Sequence, residues 1–409
     1  MTAVAERPKP FFFPEYCKGC GRCISSCPKD CITPGTEINP HTGLIPVILD
    51  LNLCNGCGLC ISACPEPYGL RPQGEEAQFE LQDPAKLLGP RPFDAPIPEL
   101  DGVFLQAVSE VATVNHMYGC GGAGLPCMTF TSSPGFSLML EGISYMVGSE
   151  VPAVFVNVMR GGPGLGNIAP EQSDIKLACR GLGHGNTHAI VLAPATPQEM
   201  LDLTMLAFDL AFKYRNPVVI LGDGYLGQMT GKVLLPERMV KPGIPEWAVY
   251  GDRSHRGNLI CSIDLTEADL EIRNIHLNEK YARMTAAEQR ADPYRCEDAD
   301  ILLIACNTPA QLAKSAIAEL RGKGLKVGLF RPITLWPFPI EHLLPLLPRT
   351  KRVVVVEASS GQLEDEMRLA LSHAGVHAPP PISHVRRMGG MLPQQAEIVQ
   401  HVLGLEEVH

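Results

Sequence analysis

The stretch AIVLAPATPQEMLDLTMLAFDLAFKYRNPVVILGD (189–223) decides the fold. Its ends, AIVLAP (189–194) and PVVILGD (217–223), are short and apolar throughout, the pattern of strands buried on both faces of a parallel sheet. Between them TPQEMLDLTMLAFDLAFKYR (196–215) switches to the helical period, with Met200, Leu203, Ala207, Leu210 and Ala211 on one face. Thr196 is placed to N-cap that helix, Pro197 suits its first position, and Glu199 completes a capping box. Strand, helix and strand in this order form a βαβ unit and predict an α/β domain.

Upstream, VPAVFVNVM (151–159) adds another buried strand. Downstream, from residue 299, ADILLIACN, KVGLFRPI and RVVVVEAS alternate with PAQLAKSAIAELRGKG and GQLEDEMRLALSHAG, a second βαβ series. Residues 241–298 show no repeated strand pattern and read as a connection. Residues 74–100, rich in Pro and charge, read as a linker. A chain of 409 residues with a 45% hydrophobic fraction has room for two or three domains. Its net charge of -10 argues against nucleic acid or an acidic membrane as the main partner. No run approaches the ~18 apolar residues of a spanning helix, and MTAVAERPKP lacks the apolar core of a secretory signal. Membrane insertion is not expected and a cytoplasmic setting is. There, 15 cysteines read as metal ligands and buried thiols rather than disulfides.

Eight of those cysteines fall into two runs of one spacing, Cys17-x2-Cys20-x2-Cys23-x3-Cys27-Pro and Cys54-x2-Cys57-x2-Cys60-x3-Cys64-Pro. This is the arrangement that holds [4Fe–4S] clusters, the fourth cysteine of each run serving the other cluster. Three thiolates on a tight loop cap three irons, and the fourth ligand must come from elsewhere. One cluster is therefore expected on Cys17, Cys20, Cys23 and Cys64, and a second on Cys54, Cys57, Cys60 and Cys27. Zinc sites show paired Cys-x2-Cys without the third and fourth members. Cys31 lies outside the pattern. The stretch resembles a two-cluster bacterial ferredoxin over about residues 11–73, with EINPHTGLIPVILDL (37–51) as the hairpin between the loops.

In the α/β part, VNVMRGGPGLGNIAPEQSD (156–174) sets Arg160 and a glycine-rich turn just beyond a buried strand. Ligands of open α/β sheets sit at that end. Arg160 is suited to grip a carboxylate, while Gly161 and Gly162 let backbone N–H groups approach an anion; the plainer alternative is a simple turn. FTSSPGFSLMLEGISYM (130–146) opens a helix from a Ser/Pro/Gly loop.

From about residue 101 the chain resembles the α-type subunit of the 2-oxoacid:ferredoxin oxidoreductases, most of all the branched-chain (2-oxoisovalerate) group and then the 2-oxoglutarate group. LQAVSEVATVNHMYG, TSSPGFSLMLEGISYM, NVMRGGPGLGNIAPEQSD, TMLAFDLAFKYRNPVVILGDGYLGQM and RMGGMLP carry the resemblance. It implies a thiamine-diphosphate-enzyme pyrimidine-type α/β domain (101–240) and a transketolase C-terminal-like domain (299–409), preceded here by a small α+β ferredoxin-like domain (1–73). It implies oxidative decarboxylation of a 2-oxoacid with coenzyme A to acyl-CoA and CO2, electrons leaving through [4Fe–4S] clusters to an external ferredoxin. By resemblance, Glu110 hydrogen-bonds the aminopyrimidine of thiamine diphosphate, a role for a carboxylate that shares a proton with the ring. Arg160 lies near the substrate carboxylate, and Thr131, Ser132 and Ser133 face the same pocket. GDG (222–224) has no Asn at the spacing a thiamine diphosphate–Mg²⁺ motif needs. The diphosphate and Mg²⁺ are therefore expected on a partner β subunit, with a γ-type subunit as a further partner. The resemblance also implies a glycine-rich first unit with a YPITP-type loop, and neither stands in this sequence. Either another chain supplies that unit, or the chain is a non-catalytic electron-transfer and scaffold subunit. His184 and His188, in GLGHGNTH, read as loop histidines.

Overall fold

A computed structural model describes residues 8–14, 17, 19, 21–38, 45–64, 69–74, 95–97, 102–236 and 243–406, and it divides into two units, Met1–Ala107 and Val108–His409.

In the amino-terminal unit the elements are β1 (Pro10–Phe11), α1 (Arg22–Ser25), β2 (Ile32–Pro34), β3 (Val47–Leu49), α2 (Leu59–Ala63), β4 (Arg71–Pro72), β5 (Ala95–Ile97) and β6 (Gly102–Phe104). The strands pair antiparallel as β1 with β4, β2 with β3, and β5 with β6. The predicted hairpin of 37–51 is wider than expected, since its first strand begins at Ile32. Cys23, Cys31 and Cys60 are buried together with Ile32, Val47 and Leu70, so thiols supply much of a very small core. Such a core is too small to stabilise a fold alone, and bound metal is the usual remedy. Of the expected linker 74–100, only Gly74 and β5 are among the described residues.

The second unit runs α3 (Glu110–Gly122), β7 (Met128–Ser132), α4 (Ser133–Gly148), β8 (Ala153–Met159), α5 (Ile175–Arg180), β9 (Ile190–Leu192), α6 (Pro197–Tyr214), β10 (Pro217–Asp223), α7 (Glu267–Ala287), β11 (Ala291–Tyr294), β12 (Ile301–Ile304), α8 (Asn307–Gly322), β13 (Val327–Pro332), β14 (Thr334–Trp336), α9 (Ile340–Leu343), β15 (Arg352–Glu357), α10 (Gln362–His373), β16 (Ile382–Arg386) and α11 (Gln395–Glu406). Two sheets result, ordered β14-β9-β10-β8-β7 and β11-β13-β12-β15-β16. All pairings are parallel except those of β14 and β11, which add antiparallel edges.

α6 forms as its sequence dictates. Thr196 Oγ1 accepts from the Glu199 N–H at 3.1 Å, and Leu203, Ala207, Leu210, Ala211 and Tyr214 form the buried face. Glu199 departs from the simple capping box: it accepts from the Ala195 N–H at 2.8 Å and grips the buried Arg331 with both oxygens, at 2.9 and 2.6 Å. The cap thereby ties the first sheet to the second.

Gln172 does the same at the carboxyl ends of the strands. Its Nε2 donates to the Cys306 carbonyl and to Asn307 Oδ1, each at 3.1 Å, and its Oε1 accepts from the Ala358 N–H at 2.8 Å. Asn307 Nδ2 then donates to the carbonyls of Pro194 and Leu221, at 2.9 and 2.8 Å. Buried and fully paired, such a network fixes one arrangement of the two sheets.

The connection expected at 241–298 contains α7, a 21-residue helix. Its buried face, Leu277, Lys280, Tyr281 and Met284, has helical spacing, but Leu270, Ile272 and Ile275 are exposed and blur the stripe in the sequence. Lys280 lies in that face because its ammonium meets Glu150 Oε1 at 3.1 Å and the Arg215 carbonyl at 3.3 Å.

Candidate functional site

The cysteine runs fold alike. Gly21 and Gly58, with φ of 73° and 77°, turn the chain through the left-handed region directly before α1 and α2. This turn aims Cys23 and Cys60 inward, 7% and 6% exposed. Burial pushes the Cys23 thiol up to about 11, and the charges that add to this are those of Cys17 and Cys64. Burial also raises Cys60, whose sulfur neighbours are Cys54, Cys57 and Cys27. Each group thus contains the fourth cysteine of the other run. Crowded buried thiols resist ionisation until a cation relieves them, so the donor set suits an iron core. Cys20 lies outside the described residues. Among the described residues no three His, Cys, Asp or Glu side chains converge on a single ion; a cubane instead takes its thiolates around four irons. Cys31, set aside by its spacing, is 5% exposed with its sulfur 3.2 Å from that of Cys27.

In the α/β unit the carboxyl ends of β7 and β8 carry the candidate residues. Ser109 N-caps α3 through a 3.2 Å bond from the Ala112 N–H and leaves Glu110 as the first helical residue. A methyl group built on Gly135 would lie 2.1 Å from Thr131 Oγ1 and 2.7 Å from Glu110 Oε1, so only glycine lets these two side chains close over α4. Thr131 and Ser132 end β7. Ser132 is the N-cap residue of α4, yet its side chain makes no capping bond. Ser133 Oγ accepts from the Arg160 N–H at 3.1 Å. Free N–H groups of α4, an uncommitted hydroxyl and a guanidinium form a neighbourhood suited to a carboxylate.

Arg160 Nη2 donates to the Leu165 carbonyl at 3.3 Å, while its buried Nε has no hydrogen-bond partner. The turn after it is clamped from a distance. Glu171, 4% exposed, accepts from the Gly162 N–H at 3.0 Å through one oxygen and from the Gly389 N–H at 3.1 Å through the other. Asn167 Nδ2 donates to the Gly389 carbonyl at 3.0 Å. Glu171 and Asn167 were not singled out in the sequence, although NIAPEQSD and RMGGMLP, the two stretches they join, both were.

Comparison with known proteins bears on these sites. A family described as pyruvate flavodoxin/ferredoxin oxidoreductase, thiamine diphosphate-binding, matches residues 93–295, and pyruvate:ferredoxin oxidoreductase core domain II matches 299–398. A 4Fe-4S dicluster domain matches 16–67. The ketoisovalerate oxidoreductase subunit VorB of Methanothermobacter marburgensis is 48% identical over 301 residues, 73% of this chain and 84% of that protein. The chain belongs to the 2-oxoacid:ferredoxin oxidoreductases. Within that family the 2-oxoglutarate synthase subunit KorA of Methanocaldococcus jannaschii is 32% identical, over 75% of this chain and 88% of its own length. Among solved structures, 2-oxoglutarate:ferredoxin oxidoreductase from Magnetococcus marinus, with 2-oxoglutarate, coenzyme A and succinyl-CoA bound, superposes with a TM-score of 0.65 at 26% identity. That match covers 76% of this chain and 58% of the other. The matches together show a 4Fe-4S domain and a thiamine-diphosphate-binding fold, and membership implies assembly with partner subunits.

The remaining sequence candidates of this oxidoreductase chain are structural in character. Asp223 of GDG is 1% exposed and accepts from the N–H groups of Tyr225, Leu226 and Thr308 at 2.9–3.0 Å and from the Thr308 hydroxyl at 2.9 Å. Its lone pairs are committed to a strand-end turn. His188 stacks on Trp336 with ring centres 4.6 Å apart and meets the edge of Tyr281, and burial lowers its pKa. His184 is exposed and packs edge-on to Tyr145. No helix among the described residues is long and apolar enough to cross a membrane.

Proposed function

We propose that this chain is the α-type subunit of a branched-chain 2-oxoacid:ferredoxin oxidoreductase, with its electron-carrying module fused in front. The observation that carries this reading is that Thr131 and Arg160, at the ends of adjacent parallel strands, lie with Glu110 and Ser133, the first residues of α3 and α4. Glu110 and Thr131 close over Gly135, and Ser133 accepts from the Arg160 N–H. One 2-oxoacid and coenzyme A give acyl-CoA, CO2 and a proton, and two electrons reduce two external ferredoxins. When bound, thiamine diphosphate supplies a nucleophilic carbon and an electron sink. Glu110 holds the proton at the pyrimidine ring. Arg160 and the start of α4 bind the substrate carboxylate, and Gly161 and Gly162 leave room beside it. Cys17, Cys20, Cys23 and Cys64 would hold one [4Fe–4S] cluster and Cys54, Cys57, Cys60 and Cys27 a second, groups that supply one-electron transfer when bound. The greater identity to the ketoisovalerate subunit favours a branched-chain substrate, with 2-oxoglutarate next.

Asp223 is committed elsewhere, so Mg²⁺ and the diphosphate fall to a partner β subunit. Its landing surface surrounds the site: Val108, Leu165 and Ile168 are 96%, 84% and 79% exposed, beside Glu110 and Arg160. Apolar exposure on that scale marks a protein interface. A γ-type chain would complete a cytoplasmic assembly. We assign 1–73 to the ferredoxin-like domain, 74–100 to a linker, 101–240 to the pyrimidine-type domain, 241–298 to a connection and 299–409 to the transketolase C-terminal-like domain.

The scaffold reading draws on the Arg160 guanidinium, which is turned back onto its own loop. One variant decides between them. In the complex purified with its partners, Glu110→Ala should cut CoA-dependent 2-oxoacid oxidation by roughly 10²–10⁴-fold without changing iron content. Unchanged turnover would leave the chain as a scaffold.

A further inference from the structure

The two cysteine runs match nearly residue for residue, CKGCGRCISSCP (17–28) against CNGCGLCISACP (54–65), and then part. The first continues Lys29-Asp30-Cys31; the second continues Glu66-Pro67-Tyr68. Only one of two otherwise equivalent loops is followed by a fifth cysteine. Asp30, at φ 48°, turns the chain back on itself after Cys27. The Cys31 carbonyl accepts from the Asp50 N–H at 2.8 Å, which anchors its backbone at the start of the β2–β3 pair. Its side chain is consequently held 3.2 Å, sulfur to sulfur, from Cys27, and its other sulfur neighbour is Cys54 from the second loop. Both neighbours belong to one set of four, the set containing Cys57 and Cys60. At 5% exposure the thiol is largely shut off from solvent.

We propose that Cys31 donates an S–H hydrogen bond to the ligand sulfur of Cys27 and thereby raises the reduction potential of that one cluster above its twin's. The inference rests on the reading that Cys27, Cys54, Cys57 and Cys60 hold a [4Fe–4S] cluster. Reduction adds negative charge that spreads onto the ligand sulfurs, so a donor aimed at one of them stabilises the reduced form more than the oxidised form. The cluster on Cys17, Cys20, Cys23 and Cys64 has no cysteine at the matching position. Two clusters built on nearly identical loops would thus differ in potential, which gives electrons a preferred resting place.

The test is an anaerobic redox titration of the purified complex, followed by electron paramagnetic resonance, for wild type, Cys31→Ala and Cys31→Ser. Cys31→Ala should lower one of the two midpoint potentials and leave the other in place, with iron content unchanged. It should also remove an exchangeable-proton coupling from one cluster's spectrum. Cys31→Ser keeps a donor and should recover part of the shift. Equal shifts in both variants would overturn the proposal in favour of a packing effect. Two unmoved potentials would overturn it outright, and so would loss of a cluster in both variants, which would make Cys31 a ligand or a strut. A wild-type chain with the signal of a single cluster would instead overturn the two-cluster reading, and this proposal with it.

Discussion

The amino-terminal unit and the α/β unit assemble their chemistry in opposite ways. In the first, all the candidate ligands lie between Cys17 and Cys64, and the loops that carry them are also the core. In the second, the site draws on Glu110, Thr131, Ser133 and Arg160 and is clamped by Glu171 to Gly389, which lies 218 residues further on. A module of the first kind stands or falls with its metal. A site of the second kind sits on a framework that exists without it, held by two sheets with large apolar cores.

That contrast is easiest to break at Cys60. Cys60→Ser should bring iron down to half or less and abolish electron delivery to an external ferredoxin. Thermal unfolding of the α/β unit and binding of the 2-oxoacid should survive. Iron analysis, calorimetry and a binding assay on the same preparation check this. If the α/β transition disappears with the iron, the two units are not independent.

A smaller effect is expected where the α/β site is joined to its framework. Glu171→Ala leaves the Gly162 and Gly389 N–H groups without their acceptor. Gly162 is half-buried and Gly389 exposed, so water can replace the acceptor and each lost bond costs about 0.5–1.5 kcal/mol, measurable by denaturant unfolding. The Arg160 turn loses its clamp as well, so the KM for the 2-oxoacid should rise while iron content stays at the wild-type level. A stability loss with no change in KM would confine Glu171 to the framework.

The same division explains what could be read in advance. The cysteine loops were legible because ligation needs a fixed local spacing, and Gly21 and Gly58 do locally what that spacing implies. β8, β10 and α6 were legible because burial on both faces, or on one stripe, is written into consecutive residues. The edge strand β14 was not. Thr334 pairs with Leu192, 142 positions earlier, and no periodicity within either segment requires it. The place of Cys31 was not legible for the opposite reason: spacing sets it outside the ligand pattern and says nothing of the turn at Asp30 that brings it back to Cys27. Glu110 was legible only through the resemblance, since its approach to Thr131 depends on Gly135 in another helix.

The smallest expected effect concerns His188, which sits in the glycine-rich GLGHGNTH and reads there as a loop histidine. Its ring lies flat on Trp336, the interplanar angle being 5°, with Tyr281 edge-on. Burial, and then the charge of Arg180, lower its pKa in the folded state. The unfolded chain therefore takes up this proton more readily than the folded one. His188 contributes its full stabilisation above about pH 6.5, its ordinary value, and loses it as the pH falls from there through the lowered folded value. His188→Phe keeps the stack and removes the titration, so its melting temperature should depend less steeply on pH between about 5 and 7 than the wild type's. His188→Ala should lose the stack too, at about 0.5–1.5 kcal/mol. In neither variant should the pH profile of kcat/KM move. A shifted profile in His188→Phe would place this histidine in the reaction and erase the line between framework and site on which the comparison of the two units depends.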